Sequence, residues 1–361
     1  MENMDMTMEF WKNKRVFITG HTGFKGSWLS LWLQVMGAHV VGYALPPTTN
    51  PNLFALADIE ANMTSIMADI RDLNALNNAL QDHKPEIVFH LAAQPLVRFS
   101  YAAPIETFSI NVMGTANLLE ALRSQNSVRA AVFVTSDKCY ENQEWLWGYR
   151  ENEPMGGRDP YSSSKGCAEL ICTAYRASFF KETGPAIATA RTGNVIGGGD
   201  WSEDRLVPDI LKAIETRSEL VVRNALATRP WQHVLEASRG YLLLAQRLWE
   251  KGHQFASAWN FGPPIDDVRT VKWIIDNLSL HYNYNITYKQ TTDTLPHEAH
   301  YLSLDSTKAH KLLGWKTEWN LEKTLLKTVD WHKALIQGKN MRETSLQQIA
   351  SYSSTDKNKW Y

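Results

Sequence analysis

The apolar run R-V-F-I-T at positions 15–19 passes directly into G-H-T-G-F-K-G, and few architectures suit that junction. Gly20, Gly23 and Gly26 recur every third residue. Glycines there let a chain leave a strand, turn tightly and enter a helix whose first N–H groups face an anion. Apolar spacing predicts that helix over 24–36. A bare glycine triplet is weak evidence, but placed between a first strand and a first helix it meets the context expected of a dinucleotide turn.

The rest of the first half continues the rhythm. Strands are expected at 39–43, 66–68, 87–93, 130–135 and 186–190, with helices at 73–80, 106–123 and 161–182. Alternation of this kind implies right-handed βαβ crossovers and a doubly wound, Rossmann-type α/β fold around a buried parallel sheet. After about position 193 the period breaks. Short helices at 208–215 and 236–249 mix with strand candidates, which points to a smaller mixed α/β lobe. The expected division is 1–192 for dinucleotide binding and 193–361 for substrate, with the two interleaved. The segment from 340 onward is polar and is expected to be poorly ordered.

Composition narrows the class. The 361 residues are 44% hydrophobic and 21% charged, with 37 basic and 38 acidic side chains. A formal net charge of -1 gives no reason to expect nucleic acid or an anionic membrane as partner. Three cysteines, 139, 167 and 172, form no C-x-x-C pair and suit a reducing compartment. The N-terminus lacks an apolar h-region, and no run approaches the ~18 residues that span a bilayer. A cytoplasmic protein is expected. His297 and His300 in H-E-A-H miss the H-E-x-x-H spacing, so no metal site is expected.

Two stretches carry chemistry. D-P-Y-S-S-S-K at 159–165 places Pro160 at a helix start, with Tyr161 and Lys165 one turn apart on one face. A phenol of reference pKa ~10 must fall by ~3 units, ~4 kcal/mol, to act near neutrality. One ammonium ~4 Å away at an effective dielectric of ~20 supplies about that much. The pair alone means little, because Tyr and Lys often share a solvated helix face. The second stretch is T-S-D-K-C-Y at 135–140, where polar residues follow a buried strand. In an open α/β sheet that end is where ligands bind.

The order of glycine turn, polar strand end and Tyr-x-x-x-Lys resembles the extended short-chain dehydrogenase/reductase superfamily, in its nucleotide-sugar dehydratase and epimerase branch. The resemblance spans nearly the whole chain. It is carried further by H-L-A-A-Q at 90–94, D-I at 69–70, N-V-M-G-T at 111–115, R-T-G-N-V-I-G-G-G-D-W at 191–201, R-P-W-Q-H-V-L-E at 229–236 and L-L-G-W at 312–315. It implies cofactor contacts from Gly20, Thr22, Gly23, Phe24, Lys25 and Gly26 in the turn, and from Asp69 and Ile70 at the adenine. Leu91, Ala92, Ala93, Asn111, Thr135, Tyr161, Lys165 and Arg191 complete that set.

The cofactor expected is NAD, although 42–45 offers no acid for the ribose and 44–61 no cation for a 2′-phosphate. Lys25 is the one nearby cation. Substrate contacts are expected from Gln94, Arg98, Tyr140, Asn194, Arg205, Arg229 and His233. Arg205 and Arg229 suit a diphosphate bidentately, although singly each arginine would be expected in a surface ion pair. The glycine run after Asn194 is expected to let backbone approach a ligand, while Cys139 is expected to pack.

Epimerases follow the strand-end hydroxyl with small or neutral residues, whereas the 4,6-dehydratases place ionisable ones there, usually T-D-E. Here S-D-K resembles the members that take CDP-glucose. The implied reaction oxidises C4, eliminates water across C5 and C6, and returns hydride to C6. Ser136 would anchor the reacting hydroxyl, Tyr161 remove its proton with Lys165 in support, and Asp137 act as the acid, its pKa raised by burial. Lys138 departs from the usual glutamate. It could be a desolvated base or an ammonium that stabilises the enolate, and a plain Asp-Lys loop pair is a third possibility. Competing functions are a 4-epimerase or reductase on the same fold and a non-catalytic NAD-binding regulator. Pairing of helices 106–123 and 161–182 between copies would make a homodimer or higher homo-oligomer.

Overall fold

The computed structural model describes residues 8–181, 183–291 and 301–354. Strands β1 (Arg15–Thr19), β2 (His39–Ala44), β3 (Thr64–Met67), β4 (Ile87–His90), β5 (Ala130–Val134) and β6 (Ala186–Thr192) come from the first half. They are followed by β7 (Asn194–Ile196), β8 (Leu220–Val222), β9 (Thr228–His233), β10 (Ala258–Phe261), β11 (Val268–Thr270) and β12 (Tyr288–Gln290). Seven of these form one parallel sheet in the order β10-β6-β5-β4-β1-β2-β3. Side chains alternate across it. Val16, Ile18, Val132 and Val134 join one buried cluster, and Phe17, Ala131 and Phe133 the other. Helices Phe24–Val35 and Val234–Lys251 cover the first face, and Leu73–His83, Gly114–Arg123 and Pro160–Ser178 the second. This is the doubly wound fold expected from the alternation.

The chain turns from β1 toward β2 on one side and returns beyond it at β4 on the other. That reversal opens a crevice at the carboxyl ends of β1 and β4. Two small sheets, β11-β9-β7 and β12-β8, build the second lobe around a cluster centred on Ile210, Ile274 and Leu325. Chain beyond position 192 also joins the large sheet. β10 pairs with β6 in the large sheet, and Val234–Lys251 packs beneath β5 and β6.

Several boundaries differ from expectation. β4 ends at His90, and residues 91–96 form a loop instead of continuing the strand to 93. The helix expected over 106–123 begins at Pro104 and contains a π-helical turn at Ser109–Met113. The helix expected to 182 ends at Ser178, and Glu182 lies outside the described residues. The expectation of poor order from 340 is overturned over 340–354, where Met341–Ser353 is a helix capped by Asn340, whose side chain accepts from Glu343 N; 355–361 lie outside the described residues. Met341, Ile349 and Tyr352 are buried in the main core. His297 and His300 lie outside the described residues. No helix among the described residues is long and apolar enough to cross a membrane.

Candidate active site

The glycine turn closes on the loop after β4. Gly20 has φ +77°, and a Cβ there would stand 2.6 Å from Ala92 N, so only glycine admits this approach. Gly23 is the N-cap of Phe24–Val35 and gives it no side-chain cap, which leaves the first N–H groups of the helix for an anion. Thr19 ties the two loops together: its hydroxyl accepts from Leu91 N and Ala92 N, 3.2 Å each, and meets His90 Nδ1 at 2.7 Å. A cradle that a Cβ would fill, above a helix with uncapped N–H groups, suits a pyrophosphate.

The flanking pieces are held in turn. Thr22 donates to Leu45 O (2.8 Å) and Tyr43 to Asp69 O (3.0 Å), while Asn117 donates to Ile70 O (3.2 Å). Asp69 accepts from Arg71. At the end of β2, where no acid occurs, the His21 ring lies against Gly42 and meets Ser65 Oγ at 2.7 Å. Burial lowers its pKa to about 4, so it is neutral. The sequence reading missed His21, and a single sequence carries no signal for it.

Asn111, on the π-helical turn, clamps the loop after β4. It accepts from Gln94 N (2.8 Å) and donates to Gln94 O (3.0 Å) and Ser164 Oγ (2.8 Å). Gln94, expected at the substrate, turns its amide into its own loop, donating to Leu96 O and Thr107 Oγ1.

Beyond β5 the triplet Ser136-Asp137-Lys138 enters a short 3-10 turn, Asp137–Cys139, with Ser136 as its N-cap. The Ser136 hydroxyl donates to Asp137 Oδ1 (3.0 Å) and accepts from Lys138 N (3.2 Å), and it lies close enough to the Tyr161 hydroxyl to oppose the rise of its pKa. Asp137 is 2% exposed, and its Oδ2 has no hydrogen-bond partner among the described residues. Burial raises its pKa against the opposing fields of Lys138, Arg229 and Lys25. Lys138 is partly exposed.

Tyr161 departs from expectation. Burial pushes its hydroxyl up to about 12, against the Ser136 hydrogen bond and the Arg205 charge. The fall anticipated from Lys165 is reversed because desolvating a phenolate outweighs the cations present. Lys165 itself is lowered to about 8 by burial, with Cys139 and Glu169 opposing. Lys25 reaches past the turn and donates to Thr192 Oγ1 (3.0 Å). Burial, Arg205 and Lys165 bring it to about 7.

The expected substrate arginines are held by carboxylates or backbone. Arg205 donates to Asp200 Oδ2 (2.8 Å), Arg98 to Asp204 Oδ1 (2.6 Å) and Arg229 to Thr228 O (2.8 Å). Asn194 opens β7 opposite Trp231.

Three other expected residues face inward. Arg191 pairs with buried Glu169 (2.7 Å). Tyr140 is buried and donates to Asn260 Oδ1 (2.8 Å). His233 caps Val234–Lys251 through Leu235 N, its ring edge-on to Trp28 and Trp319. The glycine run approaches protein: a Cβ at Gly198 would fall 2.1 Å from Trp331 Cγ, and Gly198 O accepts from Trp28 Nε1. Cys139 packs with Tyr149 and Leu304.

The family model described as GDP-mannose 4,6 dehydratase matches residues 17–328. The chain is 53% identical over 350 residues to CDP-glucose 4,6-dehydratase of Salmonella typhimurium (strain LT2), covering 96% of this chain and 98% of that one. It is 26% identical over 350 residues to dTDP-glucose 4,6-dehydratase 1 of Escherichia coli (strain K12), covering 88% and 92%. A dTDP-glucose 4,6-dehydratase from Streptomyces venezuelae, solved with NAD and TYD bound, superposes with a TM-score of 0.78 at 22% identity, covering 91% and 99%. UDP-glucose 4-epimerase from Thermotoga maritima, solved with UDP-glucose, gives 0.77 at 22% identity, covering 89% and 99%. At these identities the two solved structures show the shared fold.

Proposed function

The chain belongs to the GDP-mannose 4,6 dehydratase family, and from that premise we propose that it is an NAD-dependent hydro-lyase converting CDP-glucose to CDP-4-dehydro-6-deoxyglucose and water. The observation that carries the reading is Asp137, a buried carboxyl joined to Ser136 with one oxygen unpartnered among the described residues. An epimerase needs no such acid. Elimination does, within reach of the departing C6 hydroxyl.

Bound NAD supplies the hydride acceptor for C4 and the donor for C6, held by the glycine turn, Asp69–Ile70 and the loop after β4. Ser136 and Tyr161 together engage the C4 hydroxyl, and Tyr161 takes its proton, a transfer that the Lys165 ammonium favours by stabilising the tyrosinate. Asp137, whose pKa burial raises, donates its proton to the C6 oxygen. Lys138 is reached by solvent, and a hydrated ammonium is a poor base; we assign it to stabilising negative charge at the C4 oxygen, while the C5 proton, acidified by the C4 ketone, passes to a solvent water on that open side. Arg205 and Arg229 exchange their present partners for the diphosphate. The enzyme works in the cytoplasm as a homo-oligomer.

Incubation with CDP-, dTDP-, UDP- and GDP-glucose, read by mass spectrometry, tests the assignment. Loss of one water from CDP-glucose is expected, and a mass-neutral isomer would overturn it. For Lys138, arginine keeps the charge but cannot serve as a base. Lys138→Arg should stay within ~10-fold of wild type while Lys138→Met loses ~10²-fold. If both are equally inactive, the stabilising role is wrong.

A further inference from the structure

The triplet is tied at both ends to one buried ion pair. Glu169 lies one turn beyond Lys165 on the helix Pro160–Ser178 and is 1% exposed. Its Oε1 accepts from Thr135 Oγ1 (2.5 Å), and its Oε2 from Thr189 Oγ1 (2.7 Å) and Arg191 Nη2 (2.7 Å). Arg191 Nη1 donates to the Tyr140 hydroxyl (2.7 Å) and to Glu151 O (3.1 Å). The Tyr140 hydroxyl in turn donates to Asn260 Oδ1 (2.8 Å). Thr135 immediately precedes Ser136, and Tyr140 closes the turn that holds Asp137 and Lys138. One partner of the pair holds each end, and Glu169 belongs to the helix that carries Tyr161 and Lys165.

We propose that Glu169 and Arg191 are positioning residues for the dehydration. They set the register of Ser136 and Asp137 against Tyr161, and the Glu169 carboxylate helps hold Lys165 as an ammonium. The proposal rests on reading those four side chains as the reacting groups.

Stability alone does not account for the pair. Desolvation of two buried charges offsets most of their attraction, and apolar residues of equal volume often serve as well or better. What an apolar pair cannot do is direct three hydroxyls to fixed points through charge-assisted bonds. The field acts too. Lys165 is faced by Lys25 from the glycine turn, His90 from the end of β4, Cys139 from the 3-10 turn, and Glu169 and Cys172 from its own helix. Glu169 is the one carboxylate of this set, and its charge opposes the burial that pulls the ammonium down.

Glu169→Gln in the full-length protein keeps an oxygen for Thr135 and removes the charge. Expected are a ~10²-fold fall in kcat, the scale set by a small misplacement of reacting groups, and a KM for CDP-glucose within about threefold. The pH at which Lys165 becomes reactive to acetic anhydride, followed by peptide mass spectrometry without turnover, should move downward. Glu169→Asp keeps the charge at shorter reach, so it should restore the Lys165 profile but not kcat. Tyr140→Phe should lower kcat and leave the Lys165 profile unchanged.

A folded Glu169→Gln with wild-type kcat and an unmoved Lys165 profile overturns the proposal. So does a fall in melting temperature with neither kinetic change. Should Glu169→Gln not fold, Tyr140→Phe and Thr135→Val decide: wild-type kcat in both overturns the proposal, and a fall with unchanged KM supports it. If wild-type protein yields no keto-sugar from CDP-glucose, the functional reading fails while the Lys165 profile still reports the field.

Discussion

Asp137 and Tyr161 share Ser136, yet the site asks opposite things of them. Burial favours the neutral form of both. That suits the carboxyl, which must donate, and opposes the phenol, which must lose its proton. Asp137→Asn should therefore still allow C4 oxidation, with NADH fluorescence appearing, while water loss slows by ~10²–10⁴-fold. Tyr161→Phe should abolish the fluorescence as well. Failure of both variants at one step would refute this division of roles. Because the raised pKa of Asp137 keeps it protonated above the usual aspartate range, water loss should decline as pH rises through that value, with NADH accumulating on the alkaline side. Ser136, Asp137, Tyr161 and Lys165 could be proposed from the sequence because the chemistry needs those types in that order. The inward turn of Gln94, Arg191 and His233 could not, because the groups they meet, Thr107, Glu169 and Trp28, stand on other elements.

At the level of elements, periodicity located most of the sheet and its covering helices. It failed where composition disguised a buried face. Met341–Ser353 reads as polar, yet Ser345 and Gln348 are buried because they bond other elements: Ser345 Oγ accepts from Trp331 Nε1, and Gln348 donates to Lys327 O. The glycine turn gives the clearest test at this scale. Gly20→Ala must adopt φ +77° and displace the loop at Ala92. It should weaken NAD binding by at least ~10-fold and lower stability by ~1–3 kcal/mol, read by fluorescence titration and thermal unfolding. An alanine variant with wild-type affinity would separate this turn from the cofactor.

Across the whole molecule, the helix Met341–Ser353 reaches a buried acid on the helix Val234–Lys251. Glu236 accepts from Tyr352 Oη (2.5 Å), Trp319 N (2.8 Å) and Glu318 N (3.0 Å). Burial raises its pKa from 4.5 to about 7 despite those bonds and the Arg239 charge. A carboxyl raised on folding stabilises fully below its unfolded pKa. That contribution is lost as pH climbs from about 4.5 to about 7, a change of ~3 kcal/mol from the acid alone. Glu236→Gln should flatten stability against pH over that window in urea unfolding, and a slope equal to wild type would show that Glu236 is not its source. Tyr352→Phe should cost ~1–3 kcal/mol by leaving the acid short of a donor.

Taken alone, the sequence determined the parallel α/β class and the dinucleotide turn, and it supplied the candidates proposed as reacting groups. Those rest on local spacing and on side-chain chemistry, which a linear text carries. Only the tertiary structure decided which way burial moves Tyr161, that Glu169 and Arg191 lie beneath the triplet, and that the last helix completes the core. Desolvation and long-range pairing depend on what stands across a crevice or behind a strand, and chain order does not record that.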